Sequence, residues 1–326
     1  MRYYRSSNNG NIVCNLCAHH CTLQEGKTGV CGINQNENGK LKNLVYGYPS
    51  ALHLDPIEKK PLYHFLPATN SLSLGTVGCN FRCPFCQNHT ISQNNEIRKE
   101  EYLSPEAVIK LAVAHGARSI SYTYNEPTVF YPYARDIAVL AHEAGLKNIF
   151  VTSGFESHEV REDMVGLIDA VNVDLKSFNA KYYKTVLKTS LEKVLENLRF
   201  FSESTMHLEI TTLVIEGVND GDDELAAMAR FIAEELAGTS IYHLSAFYPA
   251  YKMDTHRATR PQRLFQAKEI AKKAGIDFVY LGNIAADNTT YCPRCGNPLI
   301  ERNGYDTRVL QTRCSCGYTL QGVFDD

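Results

Sequence analysis

Between residues 68 and 284 the chain repeats one pattern: a short run rich in β-branched residues, followed by a longer stretch whose apolar positions fall at helical spacing. Such switching between the two periods predicts strands alternating with helices. Strands are predicted over 71–77, 119–124, 148–152, 170–175, 207–214, 241–247 and 278–281. Helices are predicted near 105–115, 128–144, 159–168, 191–201, 222–237 and 261–274, with Ser104 and Asp220 placed to cap two of them. That alternation lays parallel strands beneath crossover helices, so the predicted fold class is α/β, a partial (β/α)6-type barrel. In such folds chemistry gathers beyond the carboxyl ends of the strands. The residues that follow each run here are strongly polar.

The two ends differ from this middle. Residues 1–67 and 285–326 are turn-rich and cysteine-bearing, with too little apolar sequence for a core unless a metal supplies one. Three segments follow: an N-terminal cysteine-rich segment (1–67), a barrel (68–284) and a small C-terminal module (285–326). The 326 residues are 21% charged and 44% hydrophobic, an ordinary globular balance. A net charge of −3 provides no broad field for nucleic acid or an anionic membrane. Residues 292–326 carry four arginines and four acids, which argues against a nucleic-acid-binding ribbon. Residues 1–10 are polar and no apolar run approaches membrane-spanning length, so a soluble cytoplasmic protein is expected.

Eleven cysteines fall into three groups, with none between Cys86 and Cys292. Close spacing without an export signal favours metal ligation over disulfides. Cys79, Cys83 and Cys86 form a C-x3-C-x2-C loop directly after the first predicted strand. Three thiolates can bind three irons of a [4Fe–4S] cube and leave the fourth iron open to another ligand. The bland alternative is a zinc knuckle completed by His89. Cys292, Cys295, Cys314 and Cys316 pair up as a zinc-ribbon-like site for zinc or iron, although the second pair has one intervening residue where two are usual. Cys14, Cys17, Cys21 and Cys31 fit either a structural zinc or a second cluster, with His19 and His20 as alternative ligands.

The triad, together with Cys14-Asn15-Leu16-Cys17-Ala18-His19-His20-Cys21, Gly29-Val30-Cys31 and Asp55-Pro56-Ile57-Glu58-Lys59-Lys60-Pro61-Leu62-Tyr63-His64-Phe65, resembles the radical S-adenosylmethionine (SAM) superfamily. More narrowly, it is similar to the AmmeMemoRadiSam radical SAM family, relatives of pyruvate formate-lyase activating enzymes. The stretches Tyr122–Thr128, Asp174–Lys176 and Phe247–Met253 share the likeness, which covers nearly the whole chain. The resemblance implies a radical SAM barrel and a [4Fe–4S] cluster at Cys79, Cys83 and Cys86. It also implies reductive cleavage of SAM to a 5′-deoxyadenosyl radical that abstracts hydrogen from a substrate.

By the same resemblance, Asn125 and Glu126 lie where the superfamily grips the methionine amino group, and a carboxylate suits an ammonium. Helix capping is the plainer role for Glu126. Thr152, Ser153 and Gly154 match a segment close to bound SAM, with Val151 where the activating enzymes carry a cation-binding aspartate. Asp174 and Lys176 share a strand face, and Lys176 would neutralise the SAM carboxylate. A surface ion pair is their plainer reading. His243, Ser245 and Tyr248 would close over the site, with Glu209, Tyr251 and Lys252 as further candidates. Flavodoxin or ferredoxin would supply electrons, and Memo-like and AMMECR-like proteins are the implied partners. Two rivals are weighed: an activase of glycyl radical enzymes, against which Val151 and Tyr124 count, and a non-catalytic zinc or iron–sulfur binding protein.

Overall fold

The computed structural model describes residues 3–97, 99, 101–236, 238 and 241–325. Ala237, at the predicted end of the fifth helix, and residues 1 and 326, at the limits of the outer segments, lie outside the described residues. Among the described residues, seven strands run parallel and pair in chain order: β1 (Asn70–Gly75), β2 (Ser119–Tyr122), β3 (Lys147–Thr152), β4 (Ala170–Asp174), β5 (His207–Val214), β6 (Ile241–Ala246) and β7 (Phe278–Gly282). An antiparallel edge strand, Ala51–Pro56, joins β1. This strand and β7 stand at opposite ends of the sheet order, so the barrel is open. The crossovers are α1 (Pro105–Ala114), α2 (Tyr131–Glu143), α3 (His158–Met164), α4 (Leu191–Glu203), α5 (Asp222–Glu235) and α6 (Pro261–Lys273).

Local chemistry explains where these elements begin and end. The Ser104 hydroxyl accepts from the Ala107 N–H at 3.3 Å and caps α1 as expected. Asp220 does not cap α5: its carboxylate accepts from the Gly217 N–H at 2.7 Å in the preceding turn, and Gly221 holds the cap position. Asp222, Asp223 and Glu224 instead place negative charge against the N-terminal dipole of that helix. The predicted 128–144 helix opens as a 3₁₀ turn, Pro127–Phe130, before α2. The predicted 159–168 helix stops at Met164, because Gly166 takes a left-handed φ of +77°.

Alternation along the strands separates two environments. Leu72, Leu74, Ile120, Tyr122, Val171, Val173, Ile210 and Leu244 join Val108, Ile137, Val194, Leu198 and Leu264 of the helices in the main core. The alternate positions, among them Ser71, Ser73, Ser119, Ser121, Asn172, Glu209, Thr211 and His243, are buried and polar. Several of them bond one another: Ser71 and Ser121 hydroxyls meet at 2.6 Å, and Thr211 donates to Asn172 at 3.0 Å.

The floor of the barrel is closed by residues 57–66. Asn172 donates to the Pro61 carbonyl at 2.7 Å, and the backbone N–H groups of Tyr63 and His64 donate to the Glu209 carboxylate at 2.9 and 2.7 Å. Below this plug sits the C-terminal module, whose strands are Thr290–Tyr291, Pro298–Asn303 and Asp306–Val309. Leu299, Ile300 and Leu320 pack on Tyr63, Phe278 and Tyr280. Arg302 reaches from the module to the Tyr63 carbonyl at 2.6 Å. The N-terminal segment contributes Ile12, Leu16, Leu23 and Ile33 to the main core. Among the described residues, no helix is long and apolar enough to cross a membrane.

Candidate active site and metal centres

A cavity of about 310 Å³ opens at the carboxyl ends of the strands. Cys79, Cys83, Cys86, Asn125, Glu126, Thr152, Ser153, Asp174 and Lys176 all line it. A larger hollow of about 420 Å³, lined by Tyr3, Leu41, Tyr46 and Arg135, contains no cysteine. The chemistry therefore belongs to the smaller space. Its floor is Pro61, carried there by the plug, a role that the sequence did not reveal.

The triad loop is fixed by two close approaches. A Cβ on Gly75 would lie 2.5 Å from the Thr123 carbonyl, and one on Gly78, at φ +87°, would lie 2.7 Å from the Cys31 carbonyl. Asn125 ties the loop to the end of β2, accepting from the Thr76 N–H at 3.0 Å and donating to the Gly78 carbonyl at 2.7 Å. Burial pushes the Cys83 thiol up to about 12 and raises Cys79 as well. His89 does not line the cavity; its Nδ1 lies 3.2 Å from the Cys86 carbonyl and its ring stacks on Tyr251 at 4.8 Å.

Opposite charges face the triad. Burial opposes the charge of Lys176, but the Asp174 carboxylate at 2.9 Å and the neighbouring Cys83 outweigh it and hold the ammonium above its ordinary value. The pair is not a surface one, since Lys176 is only 12% exposed. Glu126 combines capping with a place on the cavity wall. Its Oε1 accepts from the Thr128 N–H and from the Thr128 and Thr152 hydroxyls, and its Oε2 accepts from the Ser153 N–H at 2.8 Å.

Sequence reasoning missed Glu156, which shares both threonine hydroxyls with Glu126. Burial, and then the Glu126 charge beside it, push Glu156 up to about 7. Only tertiary contact identifies it, since a lone acid after a glycine turn carries no signal.

Tyr124 occupies a position where activating enzymes usually carry glycine, and it adopts the left-handed φ of +71° that glycine takes freely. Its hydroxyl donates to Asp55 at 2.6 Å, and the Lys60 ammonium lies 4.8 Å from its ring centre. The Asp55-to-Lys60 stretch thus holds the strained backbone from the edge strand.

Two predicted cofactor contacts fall elsewhere. His243 points into the floor network, 2.6 Å from Glu209 Oε2, and does not line the cavity. The alternation of polar and apolar positions on β6 puts Ser245, two residues on, into the cavity in its place. Gly154 serves through its backbone, turning at φ +70° where a Cβ would meet Val173 at 2.9 Å. Glu209 belongs to the floor, Tyr248 is 47% exposed, and Lys252 binds the triad loop through its N–H to the Pro84 carbonyl at 3.0 Å.

The C-terminal thiols come together. Cys292 and Cys316 sulfurs lie 3.5 Å apart, Cys295 and Cys314 3.4 Å apart, and all four lie within 4.8 Å of one another. A tetrahedral ion with bonds of about 2.3 Å sets its sulfurs about 3.8 Å apart, so this spacing fits one zinc or iron despite the short second knuckle. The Cys316 backbone N–H and the neighbouring thiols lower Cys314, while the same close contact raises its partner Cys295.

A profile describing the radical SAM superfamily matches residues 73–232. The chain is 38% identical to uncharacterized protein MJ0808 of Methanocaldococcus jannaschii over 98% of both chains. It is 25% identical to the benzylsuccinate synthase activating enzyme of Thauera aromatica over 45% of this chain, spanning about half that protein (47%). It is 19% identical to the pyruvate formate-lyase 1-activating enzyme of Escherichia coli, over 61% of this chain and 87% of that one. SuiB of Streptococcus suis, solved bound to SAM, shares the fold, with a TM-score of 0.52 at 12% identity over 71% of this chain and 53% of its own. The chain is an enzyme of the radical SAM type, and it belongs to the radical SAM superfamily. Membership implies a [4Fe–4S] cluster and SAM, and the soft, buried thiols on the cavity wall fit the first of these.

Proposed function

We propose that this enzyme is the radical SAM component of an AmmeMemoRadiSam-type system, with Cys79, Cys83 and Cys86 anchoring its cluster. The observation that carries the site assignment is one cavity lined by three thiols, a lysine held protonated and a buried glutamate. An amino acid presents an ammonium and a carboxylate a few ångströms apart, and Glu126 and Lys176 offer the complementary pair. When bound, the cluster supplies one electron that cleaves SAM into methionine and a 5′-deoxyadenosyl radical, which abstracts hydrogen from the substrate.

The chain's own residues do the rest. Lys176 neutralises the methionine carboxylate, while Asp174 keeps its ammonium in place. Glu126 receives the methionine ammonium from a position set by Thr128, Thr152 and Ser153. Asn125 positions the cysteine loop. Thr211, Leu213 and Ser245 line the remaining wall, against which adenosine or substrate would lie. The floor plug closes the cavity from below and excludes water from the radical. Residues 1–67, 68–284 and 285–326 act as a cysteine-rich collar, a catalytic barrel and a metal-stapled module. A flavodoxin or ferredoxin in the cytoplasm is the electron source, and Memo-like and AMMECR-like proteins are the partners.

A second reading, activation of a glycyl radical enzyme, is favoured by the names of two relatives, the activating enzymes of benzylsuccinate synthase and of pyruvate formate-lyase. Val151 on the cavity wall, where those enzymes carry a cation-binding aspartate, speaks against it. Anaerobic protein reduced with dithionite should convert SAM to 5′-deoxyadenosine and methionine, and Cys83→Ala should abolish this. Persistence of turnover in Cys83→Ala would refute the assignment. A glycyl radical signal by electron paramagnetic resonance, after mixing with a glycyl radical enzyme, would replace the first reading with the second.

A further inference from the structure

The N-terminal cysteines are packed against the catalytic loop. The Cys31 carbonyl is the atom that forbids a side chain on Gly78, the residue before Cys79. Arg82, between the first two triad cysteines, donates its guanidinium to the Val30 carbonyl. His19 Nε2 lies 3.0 Å from the Asn80 carbonyl. Asn80 itself lies between the two sulfur groups. Its Oδ1 is 3.9 Å from the Cys79 sulfur, and its amide lies beside Cys17. The side chain is only 2% exposed, yet its Nδ2 has no hydrogen-bond partner. A buried amide donor left unpaired is destabilising unless an acceptor arrives.

Sulfur spacing separates the three cysteine groups. Among the described residues, the C-terminal quartet is the only set of three or more cysteine, histidine or acidic side chains whose ligand atoms all lie within 4.8 Å. The N-terminal quartet is therefore more open, as the catalytic triad is. One tetrahedral ion draws its sulfurs to about 3.8 Å. A cube gives each thiolate a different iron and so holds them further apart. Cys14, Cys17 and Cys31 are buried and Cys21 half-buried, and the Cys14 N–H donates to the Cys21 carbonyl at 2.9 Å. His19 and His20 each have one ring nitrogen engaged: His19 Nε2 lies 3.0 Å from the Asn80 carbonyl, and His20 Nδ1 lies 3.3 Å from Asn15 Oδ1.

We propose that Cys14, Cys17, Cys21 and Cys31 hold a second iron–sulfur cluster that passes an electron across Asn80 to the cluster of the triad. This rests on the radical SAM reading of the triad. In the step, a low-potential one-electron carrier reduces the N-terminal cluster by one electron. That electron moves to the catalytic cluster, the N-terminal cluster returns to its oxidised state, and no covalent bond changes in the protein. Asn80 Nδ2, buried without a partner, would be available to donate to a sulfur of the bound cluster.

The test uses full-length protein purified without oxygen: the parent, a triad variant (Cys79→Ala, Cys83→Ala, Cys86→Ala) and Cys17→Ser. Iron, sulfide and zinc per chain are measured together with electron paramagnetic resonance after reduction. The parent should hold about eight irons and the triad variant about four, with a reduced-cluster signal that persists in the triad variant. Cys17→Ser should lose half of the iron, while the C-terminal metal is retained as the sign of an intact fold. If Cys17→Ser fails to fold, the triad variant decides alone. A triad variant with zinc but no iron beyond the C-terminal site overturns the relay and leaves the catalytic reading intact. A triad variant with the full iron of the parent sinks the catalytic reading instead.

Discussion

Replacing Glu209 tests how the barrel floor is held. The carboxylate is fully buried and receives Tyr63 N–H, His64 N–H, His207 Nε2 and His243 Nε2, the last at 2.6 Å. Glu209→Ala leaves two buried backbone donors without an acceptor, at about 1–3 kcal/mol each. The sum, about 4 kcal/mol, matches the range of about 3–5 kcal/mol for removing one member of a buried charged cluster. Glu209→Gln keeps one oxygen for the backbone donors and should cost about 1–2 kcal/mol.

Proton linkage supplies an independent check of the same contact. Burial works to raise the Glu209 carboxyl, but the His207 and His243 hydrogen bonds outweigh it and hold it well below the usual carboxylate range. A depressed carboxyl stabilises the fold fully above its unfolded value, near 4.5, and loses that stabilisation as pH falls toward the folded value. The parent should therefore lose its advantage over both variants below about pH 4.5. Urea unfolding without oxygen, from pH 7 down to pH 3, measures both effects. Variants within about 0.5 kcal/mol of the parent at pH 7, or a gap that stays constant down to pH 3, would refute the reasoning.

Two further outcomes are expected. Lys176→Met removes the cation facing the triad and leaves Asp174 unpaired, so the SAM concentration for half-maximal 5′-deoxyadenosine formation should rise roughly 10–150-fold, from about 1.5–3 kcal/mol for a charge-assisted bond. An unchanged concentration dependence would remove Lys176 from the binding site. Cys314→Ser should lose one metal per chain and increase hydrogen exchange over 290–320, because that module has few apolar side chains of its own, while the barrel strands stay protected.

Much of the barrel was legible because its helices and strands carry their own periodicity. The Ala134, Ile137, Ala138, Ala141 stripe of α2 and the Leu72, Leu74 alternation of β1 are local patterns read without partners. The cysteine loop was equally legible, since its three ligands sit within eight residues. His243 and Gly154 show the limit. Both lie in segments the sequence marks as site-forming, yet the direction of a side chain depends on where along the strand the cavity begins. On β6 that boundary falls between His243 and Ser245. Glu156 was missed because Glu126 and Thr128 lie in another part of the chain, and Asn80 because the N-terminal segment that it meets through His19 is distant in sequence.

Taken alone, the sequence determined the element types, their order and the triad's capacity to leave one iron open, because each depends on residues near one another in the chain. Tertiary structure decided which charges share the cavity, that residues 57–66 plug its floor, and that the N-terminal cysteines lie against the catalytic loop. These depend on contacts between distant segments, such as Glu209 with Tyr63 and Cys31 with Gly78. Sheet order and burial bring such pairs together, and no local pattern records them.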